Sequence, residues 1–143
     1  MLKGFTMSTQ TNDRAQQATS RNGKQTLVLG ASLKPQRHSN MAINMLRDYG
    51  HPVLAIGLRE GQVADVEVEK DRTAIVGEDV HTVTLYLNAY RQDEFIDFIL
   101  DLNPKRIIFN PGAENRILLE KAEEKGIEAL EACTLVMLSI GRY

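Results

Sequence analysis

Short apolar runs alternate with stretches of helical periodicity from Thr26 onward, and this alternation limits the fold more than any other feature of the chain. The runs are nearly continuous in apolar residues, as is typical of strands that are buried on both faces of a parallel sheet. They predict strands at residues 26–29, 52–56, 83–87, 106–109 and 127–130. Strands joined by helices indicate repeated βαβ units, so we expect an α/β fold of three layers, with a mainly parallel sheet of about five strands between helices.

The helices between these strands are predicted from apolar spacing and from residues that start or stop a helix. Four are expected: one that ends at Gly50, one between Asp93 and Pro104, one at residues 114–125 and a short one from Cys133. Residues 60–79 are charged and irregular, so only one short edge strand is expected there, near residues 66–68 or 74–76.

Residues 1–25 differ in composition from the rest of the chain, because they are rich in Ser, Thr, Gln and Asn and poor in apolar side chains. Such a segment cannot bury enough apolar surface to fold, so we expect a disordered N-terminal tail. Asp13 and the lack of amphipathic periodicity argue against a mitochondrial presequence. The remaining residues, 26–143, are enough for one domain with a hydrophobic core and too few for two.

Composition excludes several classes of function. The net charge of −2 gives no electrostatic reason to expect nucleic acid, and no apolar run approaches the roughly 20 residues of a membrane span. A single cysteine, Cys133, cannot form an internal disulfide, which favours a reduced, cytoplasmic setting. Its apolar neighbours favour packing over a reactive thiol. The three histidines have no metal-ligand spacing, so no metal site is expected.

The loop after the first strand is the strongest functional signal. Ligands of parallel sheets bind beyond the carboxyl ends of the strands, where helix N-termini attract phosphate. Gly30 lets a ligand approach the backbone, Lys34 and Arg37 can neutralise a diphosphate, and Ser39 is suited to cap the next helix. A capped turn with two solvated cations is the alternative interpretation. The predicted phosphate site consists of Gly30, Ala31, Ser32, Lys34, Arg37, Ser39 and Asn40.

The end of the second strand narrows the choice of phosphate ligand. The positions at which a dinucleotide-binding fingerprint has its second and third glycines hold Ser32 and Pro35. Gly57 and Arg59 stand where NAD-binding proteins place an acid for the ribose hydroxyls. A cation there suits a ligand with an extra phosphate on its ribose, so coenzyme A and NADP qualify and NAD fits poorly. A surface arginine in a charged loop is the alternative for Arg59.

Two further strand ends carry candidate binding residues. Pro111 and Gly112 form a tight corner ahead of a helix, and Asn110 and Gly112 are expected to line the pocket. Tyr86 and Asn88 follow the central strand, where a ring or an amide can contact a ligand. Core packing is the alternative for Tyr86.

Several of these motifs, in this order, resemble one known family. They are Gly30-Ala31-Ser32, Pro35, Arg37, Ser39-Asn40, Gly50-His51-Pro52-Val53 and Asn110-Pro111-Gly112-Ala113-Glu114-Asn115. From about Thr26 onward the chain resembles the stand-alone CoA-binding domain proteins, which are similar to the nucleotide-binding domain of the succinyl-CoA synthetase α subunit. The resemblance implies a Rossmann-like domain whose first loop holds the CoA phosphates, and it adds Cys133 to the expected binding residues. A glutamine is commoner in the family than Asn110.

The resemblance implies binding of coenzyme A or an acyl-CoA without catalysis, because the phosphorylatable histidine and second domain of the ligase relatives are not expected here. An NADP-dependent oxidoreductase is one alternative, although no Tyr-x-x-x-Lys arrangement appears. The other is a protein-interaction module without ligand, in which residues 135–138 form a surface for a homodimer or another partner.

Overall fold

The computed structural model describes residues 17, 19 and 21–143. Most of the predicted N-terminal tail lies outside these residues, so its disorder stays a prediction. The described residues form one sheet of seven strands: β1 Thr26–Ala31, β2 Val53–Gly57, β3 Gly61–Val63, β4 Val66–Glu69, β5 Thr82–Leu85, β6 Arg106–Phe109 and β7 Glu128–Glu131.

The strand order is β3-β4-β2-β1-β5-β6-β7, and every pairing is parallel except that of β3 with β4. From the central strand β1 the chain moves outward to β2 and β4, then returns to β5 on the other side. Thr26 of β1 accordingly pairs with Val53 of β2 and with Thr82 of β5. This reversal opens a crevice at the carboxyl ends of β1 and β5, where sheets of this kind bind ligands.

Helices cover both faces of the sheet. They are α1 His38–Asp48, α2 Ala89–Gln92, α3 Ile96–Leu102, α4 Arg116–Glu124 and α5 Thr134–Ser139. Leu27 lies in one buried cluster with Ile99 of α3 and residues of α4, whereas Val28 lies in a second cluster with Ile43 of α1 and Leu138 of α5. Consecutive strand residues point to opposite faces, so the two clusters lie on either side of the sheet. The α/β class, the three layers and the mainly parallel sheet are therefore confirmed.

The expected number of about five strands is wrong, because residues 60–79 supply two more. β3 and β4 form a hairpin in which Val63 pairs with Val66, and burial of Val66 and Val68 holds it on the sheet. Ala64 at its turn has a φ of 54°, a conformation that glycine or asparagine usually marks in a sequence. The other candidate strand belongs to a 3-10 turn, Arg72–Ile75.

Asparagine side chains cap the N-termini of two helices. The Asn88 carboxamide oxygen accepts a hydrogen bond from the Arg91 N–H (2.9 Å) at the start of α2, and that of Asn115 accepts one from the Leu118 N–H (3.2 Å) in α4. Such bonds satisfy N–H groups that the first turn of a helix leaves free. Helix α2 comes just before the helix that was predicted between residues 93 and 104. Within that predicted range, residues 93–95 form a 3-10 turn and α3 forms the second part.

Gln17, which belongs to the predicted tail, contacts the sheet. The Gln17 side chain donates to the Val53 carbonyl (3.1 Å) and accepts from the Val53 N–H (2.9 Å), and Gln17 is 9% exposed. It completes the hydrogen bonds of β2 at the end that β4 does not reach, since β4 pairs only with Ala55 and Ile56. The domain boundary at residue 26 stays a prediction.

Candidate functional site at the carboxyl-end edge of the sheet

Two cavities open at this edge, one on each side of the loop between β1 and α1. The first cavity, of about 490 Å³, lies between the ends of β1, β2, β4 and β5. The second cavity, of about 460 Å³, lies between the β1 loop and the segments that follow β5 and β6. Gly30, Ser32, Arg37 and Tyr86 line both cavities, so the two meet at the β1 loop.

Two glycines allow the strands to approach one another beneath the cavities. Gly30 has a φ of +97°, and a Cβ added there would lie 3.0 Å from the Tyr86 carbonyl carbon. A Cβ added at Gly57 would lie 2.2 Å from the Ala31 carbonyl oxygen. Close-packed backbone cannot accept a side chain at such distances without moving, so both glycines shape the floor of the first cavity.

Hydrogen bonds fix the β1 loop. The Asn40 carboxamide donates to the Ser32 carbonyl (2.9 Å), and the Ser32 hydroxyl accepts from the Lys34 N–H (3.1 Å). The Arg37 N–H then donates to the Lys34 carbonyl (3.0 Å). Asn40 is 5% exposed, so it supports the loop from inside the fold and does not line either cavity.

Helix α1 begins without a side-chain cap. Arg37 occupies the N-cap position and makes no capping hydrogen bond through its side chain. Ser39, the predicted cap, lies inside the first turn and is buried, so that prediction is wrong. The first residues of α1 line the second cavity. Free N–H groups and the helix dipole favour an anion at such a position.

Cationic side chains outnumber carboxylates around the first cavity. The cations are Lys34, Arg37, Arg59, Lys70, Arg72 and Arg91, and the one carboxylate among the lining residues is Glu94. The whole chain carries a net charge of −2, so positive charge is concentrated at this edge. Converging cations attract anions over a long range. The first cavity therefore suits a ligand with several phosphate charges.

Arg72 is held more rigidly than a surface arginine. Its Nη1 donates to the Glu94 carbonyl (2.7 Å) and its Nη2 to the Glu94 carboxylate (3.0 Å). The guanidinium carbon lies 4.0 Å from the centre of the Phe95 ring, and the side chain remains 32% exposed. One face of this planar cation thus packs on a ring while the group still borders the cavity, a geometry that suits stacking on a second flat group.

Tyr86 lies between the two cavities, and its hydroxyl is buried. That hydroxyl has no hydrogen-bond partner among the residues that the structure describes. Burial raises the pKa of Tyr86, so the phenol stays protonated near neutral pH and is a poor proton donor. The ring contributes shape to both cavities and is badly suited to acid–base chemistry.

Asn110 and Cys133, two predicted binding residues, are not among the residues that line either cavity. The Asn110 carboxamide donates to the Thr84 hydroxyl (2.7 Å) and the Leu85 carbonyl (2.9 Å), and accepts from the Thr134 N–H (2.9 Å). It therefore ties β5, β6 and α5 together. Cys133 occupies the N-cap position of α5. A ligand-binding role for these two residues and for Asn40 stays a prediction.

The other predicted site residues line at least one cavity. They are Gly30, Ala31, Ser32, Lys34, Arg37, Ser39, Gly57, Arg59, Asn88, Pro111 and Gly112. Five further residues that line the first cavity are not among the predicted site residues: Lys70, Arg72, Arg91, Glu94 and Phe95. A strand at residues 66–68 beside β2 would have placed Lys70 at this edge, so a signal for it existed. No sequence signal placed Arg91 or Phe95 at the cavity, because the helix in this region was expected to start after Arg91 and to pack on the sheet.

Two further observations concern the described part of the chain alone. None of its helices has the length and apolar content needed to cross a bilayer. None of its groups of His, Cys, Asp and Glu side chains brings three members together in a way that could hold a metal ion.

The sheet order and the edge cavities define a Rossmann-like domain of the kind that binds ligands at the carboxyl ends of its strands. Residues 24–139 match the family described as CoA binding domain. The chain belongs to this family, and the resemblance inferred from its motifs is confirmed.

Solved structures show the same architecture. An uncharacterized protein is 42% identical, with a TM-score of 0.80 over 86% of this chain and 100% of that one. A protein from Thermus thermophilus (cell-free ID.343) is 20% identical, with a TM-score of 0.75 over 92% of this chain and 99% of that one. A 3-ketoreductase from Actinomadura kijaniata, solved with NADP, is 21% identical, with a TM-score of 0.55 over 77% of this chain and 38% of that one. The last two likenesses concern the fold alone. No curated protein matches the sequence.

Proposed function

We propose that this protein binds coenzyme A or an acyl-CoA at the carboxyl-end edge of the sheet, without catalysis of its own. The observation that carries the proposal is the group of cations around the first cavity, next to the uncapped start of α1. Coenzyme A carries a 5′-diphosphate and a 3′-phosphate on one ribose, so its recognition calls for cations at two places. Membership of the CoA-binding domain family supports the same ligand class.

The β1 loop is the proposed site of the diphosphate. Lys34 and Arg37 are exposed, and within the described residues neither side chain is engaged in an ion pair, so both can turn toward a ligand. The N–H groups at the start of α1 lie beside them. Charge-assisted hydrogen bonds of this kind are about twice as strong as neutral ones, and Arg37 can engage two phosphate oxygens at once.

Arg59, Lys70 and Arg91 are the proposed partners of the 3′-phosphate. They border the first cavity beyond the ends of β2, β4 and β5. Sites for NAD place an acid at the end of the second strand to bind free ribose hydroxyls, whereas this chain has Arg59 there. A phosphorylated ribose therefore suits the site better than an unmodified one.

The second cavity is the proposed location of the pantetheine arm. Arg37 is the one permanently charged residue among those that line it, and the others include Gln36, Asn88, Pro111 and Ala113. An uncharged arm with two amide groups fits a lining of amide and apolar side chains. The cavities meet at Gly30, so one ligand can pass from the first to the second.

NADP is the second candidate ligand, because the cations around the first cavity would also suit its 2′-phosphate. An NADP-dependent oxidoreductase would need a proton donor near the nicotinamide, and Tyr86 and Cys133 are the side chains available by sequence. Burial raises the pKa of Tyr86, and Cys133 lines neither cavity. Both observations favour binding over hydride transfer.

Calorimetry of the full chain with four ligands tests the proposal. We expect coenzyme A to bind more tightly than dephospho-CoA and NADP by roughly tenfold or more, and NAD to bind most weakly. Arg59→Ala should reduce the preference for coenzyme A over dephospho-CoA. Arg116→Ala is the matched control, because Arg116 is an exposed arginine on α4 that lines neither cavity.

Absence of heat with coenzyme A at millimolar concentration would overturn the proposal. Transfer of hydride from NADPH to a panel of carbonyl compounds would instead favour the oxidoreductase.

A homodimer in the cytoplasm is the proposed state of the protein. Val136 of α5 is 52% exposed and Ile140 is 62% exposed, so apolar surface is available beside α5 for a second copy. Light scattering of the purified protein tests this, and the mass of a single chain at micromolar concentration would contradict it.

A further inference from the structure

We infer that the first cavity recognises the phosphate pattern of its ligand and not the base, so that nucleoside 3′,5′-bisphosphates of either purine bind there. The inference rests on the proposed function, because it places the nucleotide end of coenzyme A in this cavity. It goes further by predicting ligands that have neither the pantetheine arm nor an adenine base.

The surface that we propose for a base is the Arg72 guanidinium, which lines the cavity and is 32% exposed. It packs on the Phe95 ring at 4.0 Å, and two hydrogen bonds to Glu94 fix its plane. Leu33 and Leu58 also line the cavity, and Leu58 is 70% exposed. A purine stacked on such a platform is bound through its ring face, which adenine and guanine share.

Few of the side chains that line this cavity could distinguish the two purines by hydrogen bonds. Ser32 and Tyr86 are its neutral polar side chains. The Tyr86 hydroxyl is buried, and the Ser32 hydroxyl, which accepts the Lys34 N–H, keeps one donor that a ring nitrogen of either purine can accept. The Glu94 carboxylate pairs with Arg72 through one oxygen, and its other oxygen could accept a hydrogen bond from the amino group of either purine. Strong discrimination requires a polar group that one ligand satisfies and its competitor leaves unpaired.

The remaining polar groups around the cavity are cations, and cations do not exclude guanine. Where an arginine reaches a base edge, its paired donors match the O6 and N7 acceptors of guanine. The affinity of a nucleotide is therefore set by its phosphates, with one group at Lys34 and Arg37 and another at Arg59 and Lys70. Nucleotides that carry phosphates at both the 3′ and 5′ positions would compete with coenzyme A, whatever their purine.

Competition calorimetry with the full chain tests the inference. Coenzyme A is bound first and then displaced by adenosine 3′,5′-bisphosphate or guanosine 3′,5′-bisphosphate. We expect the two bisphosphates to differ by less than about threefold in Kd, and each to bind at least roughly tenfold more tightly than the matching 5′-monophosphate. A guanosine bisphosphate that binds more than tenfold more weakly than the adenosine one would overturn the inference, yet leave the binding of coenzyme A intact. No binding of coenzyme A would instead overturn the proposed function.

The platform is tested by Arg72→Lys, which keeps the charge and removes the plane. We expect both bisphosphates to weaken by a similar factor of roughly five to ten, since stacking on a planar side chain is lost. Arg116→Lys is the matched control and should change neither Kd. Unchanged affinity in Arg72→Lys, or a loss confined to one purine, would overturn the platform. Circular dichroism of each variant confirms that it is folded, and the wild-type comparison of the two purines does not depend on any variant.

Discussion

Cationic side chains gather at both ends of the parallel sheet, but their surroundings differ. At the amino end, Arg106 is 7% exposed, its Nε donates to the Thr82 hydroxyl (3.0 Å), and its guanidinium carbon lies 4.3 Å from the centre of the Tyr143 ring. Lys24 lies beside them and donates to the Tyr143 carbonyl (2.8 Å). At the carboxyl end, Lys34 and Arg37 are exposed and border open cavities.

The difference shows that clustered positive charge does not by itself indicate a ligand site. At the amino end the fold supplies most of the partners of the cations, namely an aromatic ring, a hydroxyl and a carbonyl, so these cations stabilise the packing of Tyr143. At the carboxyl end the space beside the cations and the free N–H groups of α1 are open to an anion. Substitutions in the amino-end cluster should therefore change stability and spare binding, and substitutions of the exposed cations at the carboxyl end should do the reverse.

Tyr143→Ala tests the amino end and has the largest expected effect. The Tyr143 ring packs against His51, Arg106 and the cluster that contains Leu138. Replacing a fully buried aromatic ring by alanine costs about 3–5 kcal/mol. Tyr143 is partly buried, so we expect the free energy of unfolding in urea to fall by about 2–3 kcal/mol. Affinity for coenzyme A, measured where the variant is folded, should stay within about twofold. A folded variant that binds coenzyme A more than tenfold more weakly would show that the two ends are coupled.

Asn110→Ala tests a residue whose sequence context predicts ligand binding and whose contacts are internal. Its carboxamide donates to the Thr84 hydroxyl and the Leu85 carbonyl and accepts from the Thr134 N–H. Leaving buried groups without partners costs about 1–3 kcal/mol, so we expect unfolding to become easier by about 2 kcal/mol. The affinity for coenzyme A should change by less than about threefold. A loss of binding larger than the loss of stability would place Asn110 in the ligand site, as the motif predicts.

Arg37→Ala tests the carboxyl end. Loss of a charge-assisted contact to phosphate should weaken coenzyme A by about 2 kcal/mol, or roughly 30-fold in Kd by calorimetry. The side chain is exposed, so the free energy of unfolding without ligand should change by less than about 0.5 kcal/mol. Arg116→Ala provides the control for removal of an arginine elsewhere. An equal loss of stability and binding in Arg37→Ala would remove the contrast between the two ends.

Much of this fold could be predicted because its signals are local. The apolar run at β6 and the β-branched residues of β5 indicate buried strands without knowledge of their neighbours. Residues 66–68 were one of two candidate edge strands, but the hairpin that β4 forms with β3 could not be predicted, since Ala64 adopts its turn conformation without the residue types that mark such turns. Burial of Val66 and Val68 against the sheet compensates for that conformation, and this packing cannot be inferred from residues 60–79 alone.

The candidate site divides in the same way. The stretch from Gly30 to Arg37 is continuous in sequence, so its glycine and cations are visible together. Arg72 precedes β5, whereas Arg91 and Phe95 follow it, so these side chains meet only through the strand order. Asn110 was predicted to bind a ligand, but its observed contacts are internal. From the sequence alone, a polar residue at a strand end that bonds to a ligand cannot be distinguished from one that bonds to the rest of the fold.

The smallest expected effect is the change in stability on acidification, which tests the amino end of the sheet through His51. The pKa of His51 is lowered by burial first, and then by the nearby charges of Lys24 and Arg106. Its Nδ1 accepts the Lys24 N–H (2.9 Å), so protonation of Nδ1 would also remove a hydrogen bond. The pKa of His81 is lowered for the same reasons, with burial again the largest cause.

The sign follows from where each state takes up its proton. In the unfolded chain these histidines titrate near their ordinary value of about 6.5, and in the folded protein only at lower pH. Between those values the unfolded state binds more protons, so the free energy of unfolding should fall as the pH decreases from about 7.5 to about 5.5. The fall should be smaller in His51→Gln than in the wild-type protein. If the free energy of unfolding is constant or rises on acidification, the amino-end cations do not surround a neutral His51. The contrast between the two ends of the sheet would then lose its amino-end member.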